Sequence, residues 1–425
     1  MTTVGCAPAG TSLPSGVDTP FVLYGYRSSP HVGSVGATIP PVVRALSLSP
    51  AARAWDFLSL ALSVIAADES STRTTSADGW TRQIKLTVAV IDPSFWTSAA
   101  PQLEEALRFL TADIWNLEFI GGGYLPAPPN PVKVRNEDVV CLLSGGMDSL
   151  IGAMDLVAAG HLPFLVSQIA KGDKHDQRTF AQRIAKQAMH LQVNHNASPP
   201  GRSERSQRAR SMMFFGVGVL AATCLQTYGK GTAVKLYVPE NGFISLNVPL
   251  TPLRLGSLST RTTHPFYLAK LQEVLDAAGL SVKLVNPYQY KTKGEMLAES
   301  KNQPLLKQLI GSTTSCGRYA RTGFQQCGRC VPCLVRRASF LKWGVTDATP
   351  TYKYDAIGTP GRRFRDFDDV RSVAAAVHTV DTLGVEEWIG GALNSAIVGD
   401  TALAQGVVER GLDELKKLLQ VQGVL

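Results

Sequence analysis

The stretch Ser144-Gly145-Gly146-Met147-Asp148-Ser149 constrains this chain more than any other. It separates an apolar run that reads as a buried strand (139–143) from one that reads as a helix (150–159). Two glycines at a strand-to-helix corner let the backbone approach an anion, while consecutive N–H groups and the positive end of the helix dipole point at it. These residues describe a phosphate cradle. A loop built to grip β- and γ-phosphates would place Gly-Lys-Ser/Thr after four intervening residues, and this loop has no lysine.

The cradle sits within a chain of several parts. Residues 1–50 are rich in Pro, Gly and Ser with little periodicity, which predicts an irregular, extended or strand-and-turn segment. Residues 51–134 read as a small α+β accessory module. Trp55, Leu58, Leu62 and Ile65 have helical spacing, residues 83–90 alternate as a strand does, 103–110 are helical and 115–119 form another strand. A Gly/Pro cluster at 121–131 ends it. From 135 to 345 strands and helices alternate, which predicts a parallel sheet with helices on both faces. Residues 346–425 begin as an Arg/Asp-rich loop and become helical. Val370, Val373, Val377 and Val380 lie on one face, and Val408, Leu412, Leu415 and Leu419 on another, for packing on the core or on a partner.

With 425 residues and 44% apolar content, the chain can hold more than one folded unit. The longest uncharged stretch, 211–229, has an apolar part of only about 14 residues, too short to cross a bilayer. It reads as a buried helix, and no membrane partner is expected. A formal charge of +8 favours anionic partners. The nucleotide alone satisfies this, and nucleic acid stays open; Arg202, Arg205 and Arg208 recur every third residue, as a nucleic-acid stripe or an ordinary basic helix face would.

Four of the seven cysteines crowd into Cys316-x10-Cys327-x2-Cys330-x2-Cys333. An odd total with such a cluster argues for metal binding in a reducing compartment, hence the cytoplasm, and against a secreted disulfide framework. Structural Zn2+ suits four thiolates at this spacing, with an iron–sulfur cluster as the alternative. Arg318, Arg321, Arg329, Arg336 and Arg337 surround the cluster in sequence. They either offset its negative charge and face a ligand or only solvate the metal loop.

Ser-Gly-Gly-x-Asp-Ser resembles the PP-loop of the N-type ATP pyrophosphatases, which cleave ATP between the α- and β-phosphates and transfer AMP to a carbonyl oxygen. Within that group the chain resembles the 7-cyano-7-deazaguanine synthases. The match lies in Ser315-Cys316, Cys327-Gly328-Arg329-Cys330-Val331-Pro332-Cys333 and Arg336. Gly172-Asp173-Lys174-His175 and Lys291-Thr292-Lys293-Gly294-Glu295-Met296 stand where that family carries Gly-Gln-Arg-His and Thr-Lys-Ala-Glu-Ile. The resemblance covers about 135–340. It departs at Gln207-Arg208-Ala209-Arg210-Ser211 and at Pro239-Glu240-Asn241-Gly242, and the flanking modules resemble the enlarged versions that accompany bacterial anti-phage defence operons.

The resemblance implies a PP-loop α/β fold of the adenine nucleotide alpha hydrolase type, with ATP, Mg2+ and structural Zn2+ as cofactors. Ser144, Gly145, Gly146, Asp148, Ser149 and Arg210 (or Arg208) would bind ATP, with Asp148 also holding Mg2+ unless it only complements the helix dipole. Asp148, Lys174 and His175 would be catalytic, Lys174 by neutralising charge at phosphorus unless it belongs to a solvated loop. Glu240, Asn241, Lys293, Glu295 and Arg336 would bind the substrate, a 7-deazapurine carboxylate, unless Glu240 and Asn241 belong to a turn built by Asn-Gly. A nitrogen nucleophile then attacks the adenylate. The flanking modules favour an amine of a partner protein; the alternatives are ammonia, giving 7-cyano-7-deazaguanine, a PP-loop enzyme acting on tRNA, or a non-enzymatic nucleotide-sensing scaffold. A homodimer is compatible with all of these.

Overall fold

The computed structural model describes residues 1–169, 172–204, 207–251, 261–358, 369–389 and 399–425. Arg205 and most of the Arg/Asp-rich loop, 359–368, lie outside the described residues.

Among the described residues ten strands form two five-stranded sheets. The first contains β1 (Thr2–Pro8), β2 (Thr19–Leu23), β3 (Gly33–Val35), β4 (Gln83–Ala89) and β5 (Ile114–Ile120) in the order β3-β2-β1-β4-β5. The second contains β6 (Val139–Leu142), β7 (Pro163–Gln168), β8 (His190–Val193), β9 (Val234–Tyr237) and β10 (Val282–Val285) in the order β10-β9-β6-β7-β8. All pairings are parallel. Counted from its own first strand, each sheet has the order 3-2-1-4-5. In such a doubly wound sheet the chain leaves the first strand in one direction and later returns to its other side. A crevice therefore opens at the carboxyl ends of the first and fourth strands.

In the second sheet that crevice lies between β6 and β9, beside the 144–149 loop. In the first sheet the equivalent position is covered by the chain leaving β5. Thr11 Oγ1 donates to Gly122 O at 3.1 Å, and Gly123 N donates to Val90 O at 3.1 Å. The front unit carries its own cavity of about 470 Å³ against that exit, lined by Arg44, Leu48, Trp55, Tyr124 and Pro126.

Two expectations for the front of the chain are corrected. Segment 1–50 supplies three of the five strands of the first sheet, so the boundary at residue 50 passes through that sheet, and the unit is parallel α/β instead of α+β. The strands escaped the period-two pattern because they are short and buried on both faces, as parallel strands are: Val4, Gly5 and Cys6 are consecutive buried residues. Nor is this unit an independent accessory. Its helix Ala52–Ser70 packs on the helix Met212–Ala222 of the second unit, and both belong to one hydrophobic core. Gly216 lets the second helix close on Leu58 and Ala61, while Gly218 lets its other face close on Leu236 and Leu142. That double burial explains why the helix is apolar all round.

The tail packs on its own chain. Val373, Val408, Leu412, Leu415 and Leu419 join Leu334, Val335 and Phe243 in a second core. Among the described residues no helix is long and apolar enough to cross a membrane.

Candidate functional site

The cradle follows β6 directly and ends in the helix Met147–Ala158, whose N-cap is Gly146. Gly145 takes φ +94°, a conformation that side chains disfavour. The two serines close the loop. Ser149 Oγ lies 3.0 Å from Ser144 Oγ, accepts from Ser144 N at 3.1 Å and donates to Gly146 O at 3.1 Å. A second helix, Lys174–Ile184, starts beside it: a Cβ on Gly145 would lie 3.9 Å from that of Asp173, its N-cap. Gln177 in its first turns donates to Ser144 O at 3.1 Å and to Gln168 O at 3.0 Å, tying the loop to the end of β7. Sequence reading passed over Gln177, because a lone glutamine in a polar helix carries no signal.

Beside the cradle lies a pocket of about 330 Å³ whose walls include Ser144, Ser149, Arg210, Ser211, Phe214 and Glu240. The helix Met212–Ala222 continues from the turn Ala209–Ser211, in which the carbonyls of Ala209 and Arg210 accept from Met212 N. Ser211 is only 7% exposed, yet among the described residues its hydroxyl has no hydrogen-bond partner. Buried hydroxyls are normally paired, so this one fits a bound polar ligand.

The front unit holds this wall in place. Ala209 N donates to Asp68 Oδ2 at 3.0 Å, and Gln207 Nε2 donates to Glu69 Oε1 at 3.2 Å. Arg208 donates to Thr111 O at 2.9 Å, with its guanidinium 4.4 Å from the Trp80 ring. Arg208 is thereby anchored on the front unit, and it lines the pocket together with Arg210. Burial pushes Arg210 down from the ordinary guanidinium value, with Asp173 and Glu69 opposing the shift. Arg202 is exposed and Arg208 buried, so these two do not share a basic stripe.

Asp148 is buried under three donor groups from two residues. Lys293 Nζ lies 2.5 Å from Oδ1, while Asn241 N and Nδ2 donate to Oδ2 at 3.1 and 2.8 Å. Asn241 Nδ2 also donates to Glu240 Oε1 at 3.1 Å, so one amide links two carboxyl groups. Burial opposes the charge on Asp148, but Lys293, Glu240 and Asn241 more than offset it and hold the carboxyl at about 2. A carboxylate has about four lone-pair sites, of which three are filled here. The remaining one lies beside Glu240.

Other sequence-derived candidates are placed away from the pocket. Asn241 is fully buried; its Oδ1 caps the turn Gly242–Ser245 and its amide holds Asp148, which leaves it no edge to offer a base. Lys293 faces Asp148. Glu295 completes a capping box with Thr292 at the start of the helix Lys293–Glu299, and its other oxygen meets Arg410 Nε at 2.5 Å. Arg336 is fully buried, donating to Thr313 O, Ile310 O and Thr349 Oγ1. Glu295 and Arg336 therefore serve the scaffold. Lys174 and His175 are exposed on the first turn of their helix, outside the pocket wall.

The four cysteines come together as the spacing predicts. Their sulfurs all lie within 4.8 Å of one another, with Cys316–Cys330 at 3.9 Å and Cys327–Cys333 at 3.8 Å. A single metal bound by four thiolates separates its sulfurs by about 3.8 Å. Backbone amides of Arg318 and Cys327 point at Cys316 Sγ, and those of Arg329 and Cys330 at Cys327 Sγ. Hydrogen bonding from Cys327 and the other thiols holds Cys316 well below the ordinary thiol range. The buried cluster can hold a metal ion such as zinc. Its segment also touches the cradle, where Thr314 N donates to Gly145 O at 3.0 Å. Of the surrounding arginines, Arg329 is buried on the carbonyls of Ala356 and Ile357, and Arg337 on Tyr354 and Asp355. No family model, curated protein or solved structure matches this chain.

Proposed function

We propose that this chain is a PP-loop ATP pyrophosphatase that adenylates the carboxylate of a 7-deazapurine and passes the acyl group to a nitrogen nucleophile, an amine of a partner protein in an anti-phage system. The observation that carries this reading is the position of the 144–149 loop. It lies at the switch point of a doubly wound sheet, beside a pocket with a cation, Arg210, and a hydroxyl, Ser211, unpartnered among the described residues. The carboxylate oxygen attacks the α-phosphorus and the bond to the bridging oxygen breaks, releasing pyrophosphate. The amine then attacks the acyl carbon and AMP leaves.

In this scheme the cradle amides and Arg210 hold phosphate charge, and exclusion of water strengthens those contacts. Asp148 and Glu240 would hold Mg2+, which would neutralise phosphate charge when bound. Glu240, on the pocket wall, would also meet the acceptor. A zinc ion would be structural, since four protein thiolates leave no open position. An iron–sulfur cube places several irons between its cysteines and requires wider sulfur separation than is seen here.

The test is incubation of the protein with ATP, Mg2+ and 7-carboxy-7-deazaguanine. Release of pyrophosphate and AMP is expected, and release of only ADP and phosphate would refute the cleavage site. Mass spectrometry of co-expressed partner proteins then separates a conjugate from a free amide or nitrile. Arg208, Arg329, Arg336 and Arg337 are buried and so lend no support to a tRNA-modifying role.

A further inference from the structure

The partners of Asp148 come from two segments, 240–245 and 291–295, which are joined by Gly242 N donating to Lys291 O at 2.9 Å. The tail helix Thr401–Val421 packs on both. On the first, Gly411 meets the Phe243 ring so closely that a Cβ there would fall 2.3 Å from its Cδ2. On the second, Glu414 Oε1 accepts from Thr292 Oγ1 and sits 2.6 Å from where a Gly294 Cβ would be. One turn earlier, Arg410 holds Glu295 Oε1 at 2.5 Å and Tyr290 O at 2.8 Å. Lys293 lies between these clamped residues. Glu414 is 7% exposed, and burying a carboxyl group here serves no packing purpose that an apolar side chain would not serve better.

We infer that Glu414 and Arg410 of the tail helix are positioning residues that hold Lys293 on Asp148. The pairing of Lys293 is independent of the reaction; that it matters for turnover rests on the function proposed above. The tail thereby belongs to the site, although it supplies none of its walls.

Lysine acetylation followed by mass spectrometry tests this without ATP. In the wild-type protein Lys293 should label slowly relative to exposed Lys235. Glu414→Ala should raise Lys293 labelling about tenfold by freeing the start of its helix, while Lys235 is unchanged. Glu414→Gln should restore slow labelling, since its amide oxygen still accepts from Thr292. If Glu414→Ala does not fold, Arg410→Ala carries the test: this side chain is half-exposed, and the same rise in Lys293 labelling is expected. Unchanged Lys293 labelling in the folded variants overturns the inference. Absence of pyrophosphate release from the wild-type protein, with labelling behaving as stated, overturns the proposed reaction instead.

Discussion

Lys293 Nζ lies 2.5 Å from Asp148 Oδ1 although 145 residues separate them, and both side chains are buried. A buried pair of this kind contributes little net stability over an apolar pair, but removing one member leaves a charge without compensation. Lys293→Met should therefore destabilise the protein by about 3 kcal/mol. Asp148→Asn combined with Lys293→Met should recover most of that loss, because no charge remains stranded. Urea denaturation at neutral pH measures both, and additive losses would refute the coupling. Acid has a related effect: the carboxyl is held at about 2 against an ordinary 3.8, so the stability this group contributes is lost as pH falls from near 3.8 through about 2.

Arg210 and Arg336 should separate under substitution. Arg210 lies on the pocket wall, so Arg210→Ala should leave the thermal midpoint nearly unchanged and reduce pyrophosphate release about 100-fold. Arg336 donates to two buried carbonyls and a threonine, so Arg336→Ala should lower the midpoint before any specific loss of activity. Differential scanning fluorimetry with a pyrophosphate assay distinguishes the two. Equal loss of stability in both variants would place Arg210 in the scaffold.

Gly145→Ala tests the cradle. At φ +94° a β-carbon costs about 1–2 kcal/mol and would disturb the amides of the proposed phosphate site. ATP binding, followed by calorimetry, should weaken at least tenfold while the protein remains folded. Unchanged affinity would remove the loop from the binding site.

The parts legible in the sequence are those whose chemistry is local. The strand-to-helix corner needs only two glycines between apolar runs, and the cysteine cluster only four cysteines at close spacing; the corner forms and the four sulfurs converge. The front strands were not, since β3 is three residues long and β1 is buried on both sides, which removes alternation. Glu295 is the instructive residue. Thr292-Lys293-Gly294-Glu295 carries the capping-box signature in plain view, and that local bond decides its role. The commitments of Lys293 to Asp148 and of Glu414 to Thr292 join residues more than a hundred positions apart, and no spacing rule in a single sequence reports them.

The metal cluster predicts one bound ion per chain. Elemental analysis should find zinc in the native protein and less than a tenth of it in Cys330→Ser, with a fall in thermal midpoint. Exchange for Co2+ should give the visible bands of tetrahedral thiolate ligation. Iron with inorganic sulfide in the purified protein would exclude the single-ion site. Because Thr314 bonds to Gly145, loss of the metal should also weaken ATP binding.

Glu414 gives the tail a pH signature. Burial raises its carboxyl to about 7 from the ordinary 4.5, aided by Glu295 and opposed by the bonds from Thr292 and Gly294 and by the charge of Lys342. Arg410, Asp413 and Lys417 of its own helix face the same hollow. A raised acid binds its proton more tightly in the folded state, so its contribution to stability is full below pH 4.5 and is lost as pH rises through about 7. The loss has an upper limit of about 3 kcal/mol. Glu414→Gln keeps an acceptor and removes the titration. The variant should match the wild-type protein near pH 4.5 and exceed it in thermal midpoint above pH 7. A difference independent of pH would show that Glu414 remains ionised throughout this range.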